Sequence, residues 1–207
     1  MEQRVLADIG NTHVHILDHG KIVHLEHEEA LNRYQERKLY YISVSHAIDQ
    51  KITALKNWEN IAEKIVLKGA YDTMGVDRKA LCLSHNNGIF IDAGSAITVD
   101  IVKEGIYKGG FILPGIKAYL EGYRRISPAL DIRINQEIAL DKLPLTTKDG
   151  ISYGIIASIK ALIDQHRDDQ TLYFTGGDGR FLSRFFKDAI FDERLVFDGM
   201  DKALGAN

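Results

Sequence analysis

The sequence predicts an α/β fold made by duplication, with two mixed-sheet half-domains. Three observations predict it. Strand-like runs alternate with helix-compatible runs along the whole chain. A D-x-G-[NS] turn after an apolar run occurs twice, at Asp8 and at Asp92. The match also runs past the turns: THVHILDHGKI is similar to ITVDIVKEGIY, with a glycine at Gly20 and at Gly105. Each half therefore opens with the same strand, acidic turn and returning strand. The boundary falls near Gly88, giving halves of 1–87 and 88–207.

The bulk numbers suit such a fold. A chain of 207 residues can bury one substantial core or two small ones. Its apolar share of 45% and charged share of 27% are ordinary for a globular protein. A net charge of −3 offers nucleic acid no basic footprint, so no nucleic-acid partner is expected. The one cysteine, Cys82, cannot form an internal disulfide, and its apolar context (RKALCLS) reads as a packed thiol. No run is long enough to cross a bilayer, and MEQRVLADIG lacks the basic-then-apolar layout of a signal peptide. A cytoplasmic protein with no membrane partner is expected.

In order, residues 4–8, 13–17 and 21–26 read as strands, with 18–20 as a hairpin turn whose glycine adopts positive φ cheaply. Residues 28–37 are helix-compatible and 39–44 form a buried strand. A helix follows over 46–58, with Ile48, Ile52 and Leu55 on one face, and then a strand over 61–67. After a loop at 69–75 comes a helix over 76–85. The second half restarts with strands at 89–92, 97–102 and 106–113. Pro114 opens a helix over 115–125, as its missing N–H allows. Residues 127–147 are irregular, and 149–166 form a long helix with Ile151, Ile155, Ile159 and Leu162 at helical spacing. A strand at 172–175, a short helix and a last strand at 195–197 complete the chain.

The two D-x-G turns point to phosphate chemistry. Glycine lets a phosphate approach backbone N–H groups, and Asn11, Thr12 and Ser95 can add donors. An aspartate beside a polyphosphate makes sense when a cation lies between them, so Asp8 and Asp92 are candidate cation ligands, directly or through water. One D-x-G alone reads as well as a strand-ending turn; two on matching hairpins do not. In GVDR, residues 75–78, Asp77 suits the acceptance of a hydroxyl proton and Arg78 a bidentate hold on an anion. On composition alone, a solvated helix start is the stronger reading there. Gly176-Gly177-Asp178 follows a strand and precedes a helix, a nucleotide position at a sheet's carboxyl edge or a simple turn. Five of the eight histidines precede residue 28; His13 and His15 share a strand face, where a metal pair is conceivable but no cysteine accompanies it. Tyr40, Tyr41, Phe185 and Phe186 read as core.

Taken in order, DIGNT, GVDR, DAGSAIT, GGFILPGI, TTKDGISYG and TGGD resemble the type III pantothenate kinases over nearly the whole chain. DxGNT alone also suits the wider actin-like ATPase superfamily; the combination with G-[AV]-D-R and a second DxG[TS] is much more specific. The resemblance implies a duplicated ribonuclease-H-type, actin-like fold with the active site in the cleft between the halves. It implies transfer of the γ-phosphate of ATP to the primary hydroxyl of pantothenate, giving 4′-phosphopantothenate on the way to coenzyme A. It also implies Mg²⁺, a monovalent cation (potassium or ammonium) and a homodimer.

Carried over by motif, Asp8, Ile9, Gly10, Asn11, Thr12, His13, Val14 and His15 form the first ATP phosphate loop, with Asp8 organising Mg²⁺ directly or through water. Asp77 is the catalytic base; Gly75, Val76, Asp77 and Arg78 meet pantothenate, with Arg78 on its carboxylate. Asp92 helps hold the monovalent cation and Ser95 contacts ATP. Thr147 is a further pantothenate contact across the dimer, and Tyr71 stands nearest the family's substrate-contacting tyrosine. The chain departs from the pattern at Ser95, where threonine is usual, and at His15, where many members have lysine. Two rival readings remain open at this level: another actin-like phosphotransferase, and a non-catalytic ATP-binding transcriptional accessory protein.

Overall fold

A computed structural model describes residues 4–45 and 48–205. The chain divides into two compact units, one from the described residues of Met1–Asn87, Val102–Lys108 and Glu193–Asn207, the other from Gly88–Ile101 and Gly109–Asp192.

The first unit is built on β1 (Leu6–Ile9), β2 (Val14–Asp18), β3 (Lys21–Leu25), β4 (Leu39–Ser43) and β5 (Trp58–Asn60), in spatial order β3-β2-β1-β4-β5. The first three strands are antiparallel neighbours, and β4 and β5 extend the sheet in parallel. Val5, Ala7, Ile9, Val14, Ile16, Leu39 and Tyr41 form one buried face with Ala30 and Tyr34 of α1 (His27–Tyr34) and Ile52 of α2 (Asp49–Thr53). Alternation turns Leu6 and Ile42 to the other face, on the side of α3 (Val76–Leu83) and α7 (Leu195–Ala203).

The second sheet repeats the plan. Its strands β6 (Gly88–Ala93), β7 (Ala96–Lys103), β8 (Ile106–Pro114), β9 (Leu172–Thr175) and β10 (Ile190–Phe191) lie in the order β10-β9-β6-β7-β8. Replacing β1 to β5 by β6 to β10 converts one order into the other, and β9 and β10 again extend the sheet in parallel. The hairpins agree in detail. His19 and Gly20 have φ of 47° and 76°, Glu104 and Gly105 of 54° and 69°. Both are two-residue turns with left-handed central residues, whose twist matches that of the flanking strands. The core of this unit lies among Ile89, Ile91, Ile97, Phe174, Leu182 and the apolar stripe of α5 (Thr147–His166). The other helices here are α4 (Ile116–Ile126) and α6 (Gly179–Ser183).

Four expectations are corrected. The helix expected over 46–58 is described only from 49 to 53, His46 and Ala47 lying outside the described residues. Trp58 instead begins β5, where its indole N–H donates to the Tyr34 carbonyl (3.1 Å). The strand expected over 61–67 is irregular, with a short 3₁₀ turn at Ala62–Lys64; Ile61 and Ile65 are buried four residues apart, a turn-like spacing. Pro114 ends β8 rather than opening α4. The last expected strand, 195–197, lies inside α7, because Val196, Phe197 and Met200 recur at helical spacing on a buried face. On α5, Leu162 is 37% exposed and Ile163 completes the core stripe at 0%. Cys82 is buried in α3, and Tyr41 and Phe186 are core residues, with Tyr40 and Phe185 half-buried.

Helix α7 seats directly on α3. A Cβ at Gly199 would lie 1.8 Å from the Ala80 carbonyl oxygen and 2.6 Å from its carbon. Replacement of Gly199 by alanine therefore forces the two helices apart. The expected cost is about 1–3 kcal/mol, as for overpacked cores, read as a lower denaturant midpoint at unchanged slope.

Candidate phosphate and acceptor sites

In the first unit, the turn after β1 is closed by the Gly10 N–H donating to the His13 carbonyl (3.0 Å). His27, the first residue of α1, donates its Nε2–H to the Gly10 carbonyl (2.9 Å) and ties the helix to the turn. Asn11 and Thr12 are exposed at its tip, Asp8 is half-buried just before it, and Ile9 and Val14 anchor its two ends in the core. His13 pairs with Glu26 at 3.2 Å.

Helix α3 begins beside this turn. The Val44 N–H donates to the Ile9 carbonyl (3.0 Å), and a Cβ at Gly75 would meet Val44 at 3.9 Å. The carboxyl ends of β1 and β4 and the N-terminus of α3 thus share one sheet edge. Gly75 caps α3, and Asp77 lies in its first turn, where a negative charge is favoured by the helix dipole. The Asp77 Oδ1 accepts from the Arg78 N–H (2.7 Å), curling into space that a Cβ on Gly75 would enter at 2.4 Å. Arg78 is 8% exposed, and its guanidinium donates to the Tyr71 hydroxyl (2.7 Å). The structure therefore brings Tyr71 onto the GVDR motif by way of Arg78.

In the second unit, Asp92 stands half-buried near the end of β6, with Ser95 exposed in the turn beyond. Two glycines close on this turn. A Cβ at Gly115, the cap of α4, would lie 2.3 Å from the Gly94 carbonyl and 2.6 Å from that of Ser95. A Cβ at Gly176 would lie 2.4 Å from the Asp92 Oδ1 and 2.6 Å from the Ala93 carbonyl. The Asp178 N–H donates to the Ala93 carbonyl (2.9 Å), and burial raises the Asp178 carboxyl above its usual range. At the place a Cβ on Gly176 would fill, the Asp92 Oδ1 and the Ala93 carbonyl lie together, oxygen chemistry suited to a hard cation. Thr147 is exposed at the first position of α5, next to Thr146, whose side chain caps the helix by accepting from the Asp149 N–H. Among the described residues, no group of three or more His, Cys, Asp or Glu side chains is placed to hold a metal ion, so the pair conceived for His13 and His15 gains no third ligand.

His15 has a partner that was overlooked in the sequence. It faces His24 across β2 and β3, with the two Nδ1 atoms in hydrogen-bond contact and ring centroids 4.7 Å apart. The signal was present: a two-residue turn at His19-Gly20 pairs Asp18 with Lys21 and hence His15 with His24. Gly176, in the Gly176-Gly177-Asp178 turn singled out in the sequence, closes on Asp92, and Gly115 closes on Gly94 and Ser95; both approaches depend on tertiary packing. Burial, followed by the charges of His24 and His13, pushes His15 down to about 4 from 6.5. The unfolded chain therefore binds this proton more tightly, and the stabilisation is full above about pH 6.5 and lost as pH falls towards 4. The melting temperature of His15→Gln should fall less steeply than that of the native protein between pH 7 and pH 5, as measured by thermal denaturation.

Known proteins share this chain's sequence pattern and fold. The model of the type III pantothenate kinase family matches residues 50–168. A Helicobacter hepaticus protein named type III pantothenate kinase is 44% identical over 202 residues, covering 97% of this chain and 98% of the relative. A Campylobacter jejuni crystal structure described as a Baf family transcriptional activator superposes with a TM-score of 0.86 at 38% identity, covering 97% of both chains. An ADPNP-bound activator of 2-hydroxyisocaproyl-CoA dehydratase from Clostridium difficile, at 11% identity and a TM-score of 0.57, shares the actin-like fold. With motifs, sheet order and near full-length similarity in agreement, the chain belongs to the type III pantothenate kinase family.

Proposed function

We propose that the protein phosphorylates pantothenate with ATP at the sheet edge where the Asp8 turn meets the start of α3. The observation that carries this reading is the shared edge itself: a glycine turn with exposed Asn11 and Thr12 lies beside a helix start bearing Asp77 and Arg78. Phosphates need the first and a hydroxyl-bearing carboxylic acid needs the second. Asp77 accepts the proton of the primary hydroxyl as its oxygen bonds to the γ-phosphorus and the bond to the β–γ bridging oxygen of ATP breaks. Arg78 holds the pantothenate carboxylate by a two-pronged contact, its plane steadied by Tyr71. Gly75 and Val76 shape the backbone beneath the substrate, and Thr147 adds a contact across a homodimer.

The residues from Asp8 to His15 form the first phosphate loop, and Ser95 contacts ATP from the second turn. Asp8 suits Mg²⁺, directly or through water, and Asp92 with its neighbouring carbonyls suits potassium or ammonium. When bound, these ions offset charge on the transferring phosphoryl group. The chain reads as two duplicated halves, 1–87 and 88–207, acting in the cytoplasm; among the described residues no helix is long and apolar enough to cross a membrane. The description of the Campylobacter relative as a transcriptional activator favours a second reading, an ATP-binding regulator. A net charge of −3 and the pairing of Asp77 with Arg78 on one helix weigh against it.

ADP release with ATP, Mg²⁺ and pantothenate decides between them. Pantothenate-dependent turnover that rises with added potassium is expected, and its absence overturns the kinase reading. Asp77→Asn should lower kcat by about 10²–10⁴-fold with little loss of ATP binding. Arg78→Lys keeps the charge but loses the fork, and should raise the KM for pantothenate by roughly tenfold or more while kcat changes less.

A further inference from the structure

His24, the cross-strand partner of His15, has no part in the chemistry so far. His24, His15 and Asp8 lie in one row across β3, β2 and β1, directly opposite one another in register. Their side chains share one face of the sheet. His15 is half-buried and His24 exposed. Other ionisable groups nearby are His13 with Glu26, His27 on the Gly10 carbonyl, and Arg194, the cap of α7, 3.9 Å from Asp198 and reaching the Gly20 carbonyl. These neighbours thus have partners of their own.

The two Nδ1 atoms in contact cannot both donate or both accept, so one ring must donate to the other. Two arrangements exist. If His15 donates, its Nε2 is left an acceptor and turns a lone pair outward. If His24 donates, His15 is fixed in the opposite tautomer and its Nε2 carries the hydrogen. The two ring nitrogens lie on opposite edges of an imidazole. With Nδ1 engaged by His24, Nε2 is the nitrogen of His15 left for another partner, and across β2 from His24 the register sets Asp8, just before the turn, opposite His15. Only the second arrangement offers a phosphate oxygen a donor.

We propose that His24 is a positioning residue: by donating Nδ1–H to His15, it makes His15 a neutral Nε2–H donor to a nucleotide phosphate on the Gly10–Thr12 turn. The proposal rests on the reading of that turn as a phosphate loop and concerns ATP alone. The device resembles the outer-shell partners that set the tautomer of metal-bound histidines, here serving an anion instead. An uncharged donor adds a hydrogen bond to the phosphate without competing with cations bound at Asp8.

The test uses the full-length protein, with ATP and Mg²⁺ and without pantothenate, in titration calorimetry, beside steady-state KM and kcat for ATP. His24→Ala removes the donor and should weaken ATP binding by about tenfold, the worth of one hydrogen bond to a charged group. The KM for ATP should follow, with kcat within about twofold of native. His24→Asn supplies an amide N–H to the same Nδ1 and should restore most of the affinity. In the ATP complex, ¹⁵N chemical shifts of His15 should show hydrogen on Nε2 and none on Nδ1. ATP affinity unchanged in His24→Ala, failure of His24→Asn to rescue it, or a His15 Nδ1–H in the complex each overturns the proposal. ATP binding without pantothenate turnover would sink the acceptor reading and leave this test intact. Thermal melts establish that both variants fold, as the exposure of His24 leads one to expect.

Discussion

No side chain can stand between α7 and α3. At Gly199 the backbone of one helix rests on the Ala80 carbonyl of the other, closer than any Cβ would permit. That contact fixes how α3 lies over its sheet, and α3 carries Asp77 and Arg78 in its first turn. The Lys202 ammonium donates to the Ser84 carbonyl just past the end of α3, and Arg4 pairs with Asp201 at 3.6 Å. The helix is therefore held along its length by packing and at its far end by charge. Its other end carries the GVDR motif.

The same economy governs both acidic turns. Neither relies on a large side chain for shape. In the first unit a single N–H to carbonyl bond closes the turn, and His27 braces it from α1. In the second, Gly115 and Gly176 bring two other backbone segments against residues 92–95. Backbone groups held this way lose little further entropy when an anion or cation arrives, because they are already ordered. An added methyl group would meet backbone carbonyl oxygens at Gly115, and the Asp92 carboxylate together with the Ala93 carbonyl at Gly176, so the packing has no cheap way to yield.

Much of this could be read in the sequence. The repeated D-x-G turns and the glycines at Gly20 and Gly105 anticipated two sheets with the same strand order, since short hairpins are local and their turn chemistry is written in two residues. GVDR anticipated the start of α3 for the same reason. The failures were all non-local. Trp58 looks helical beside Ile48, Ile52 and Leu55, but pairing with Leu39 draws it into a strand. Residues 195–197 look like a strand until α3 offers a surface that rewards helical spacing. The approach of Gly176 to Asp92, and of Gly115 to Gly94 and Ser95, brings together segments far apart in sequence, and local pattern does not say which turn they meet. His24 is the instructive exception: its pairing with His15 follows from the hairpin register alone.

The path of the chain has a consequence for how the protein is made. The first unit draws on three separate segments, and the one holding α7 follows the whole of the second unit in the chain. On a ribosome, α3 emerges more than a hundred residues before the helix that covers it. At ordinary synthesis rates that interval is on the order of ten seconds. Through it, the nascent first sheet keeps an apolar flank bare, a surface of the sort that chaperones bind. The GVDR helix start would then be among the first parts synthesised and among the last to settle, its maturation timed by translation.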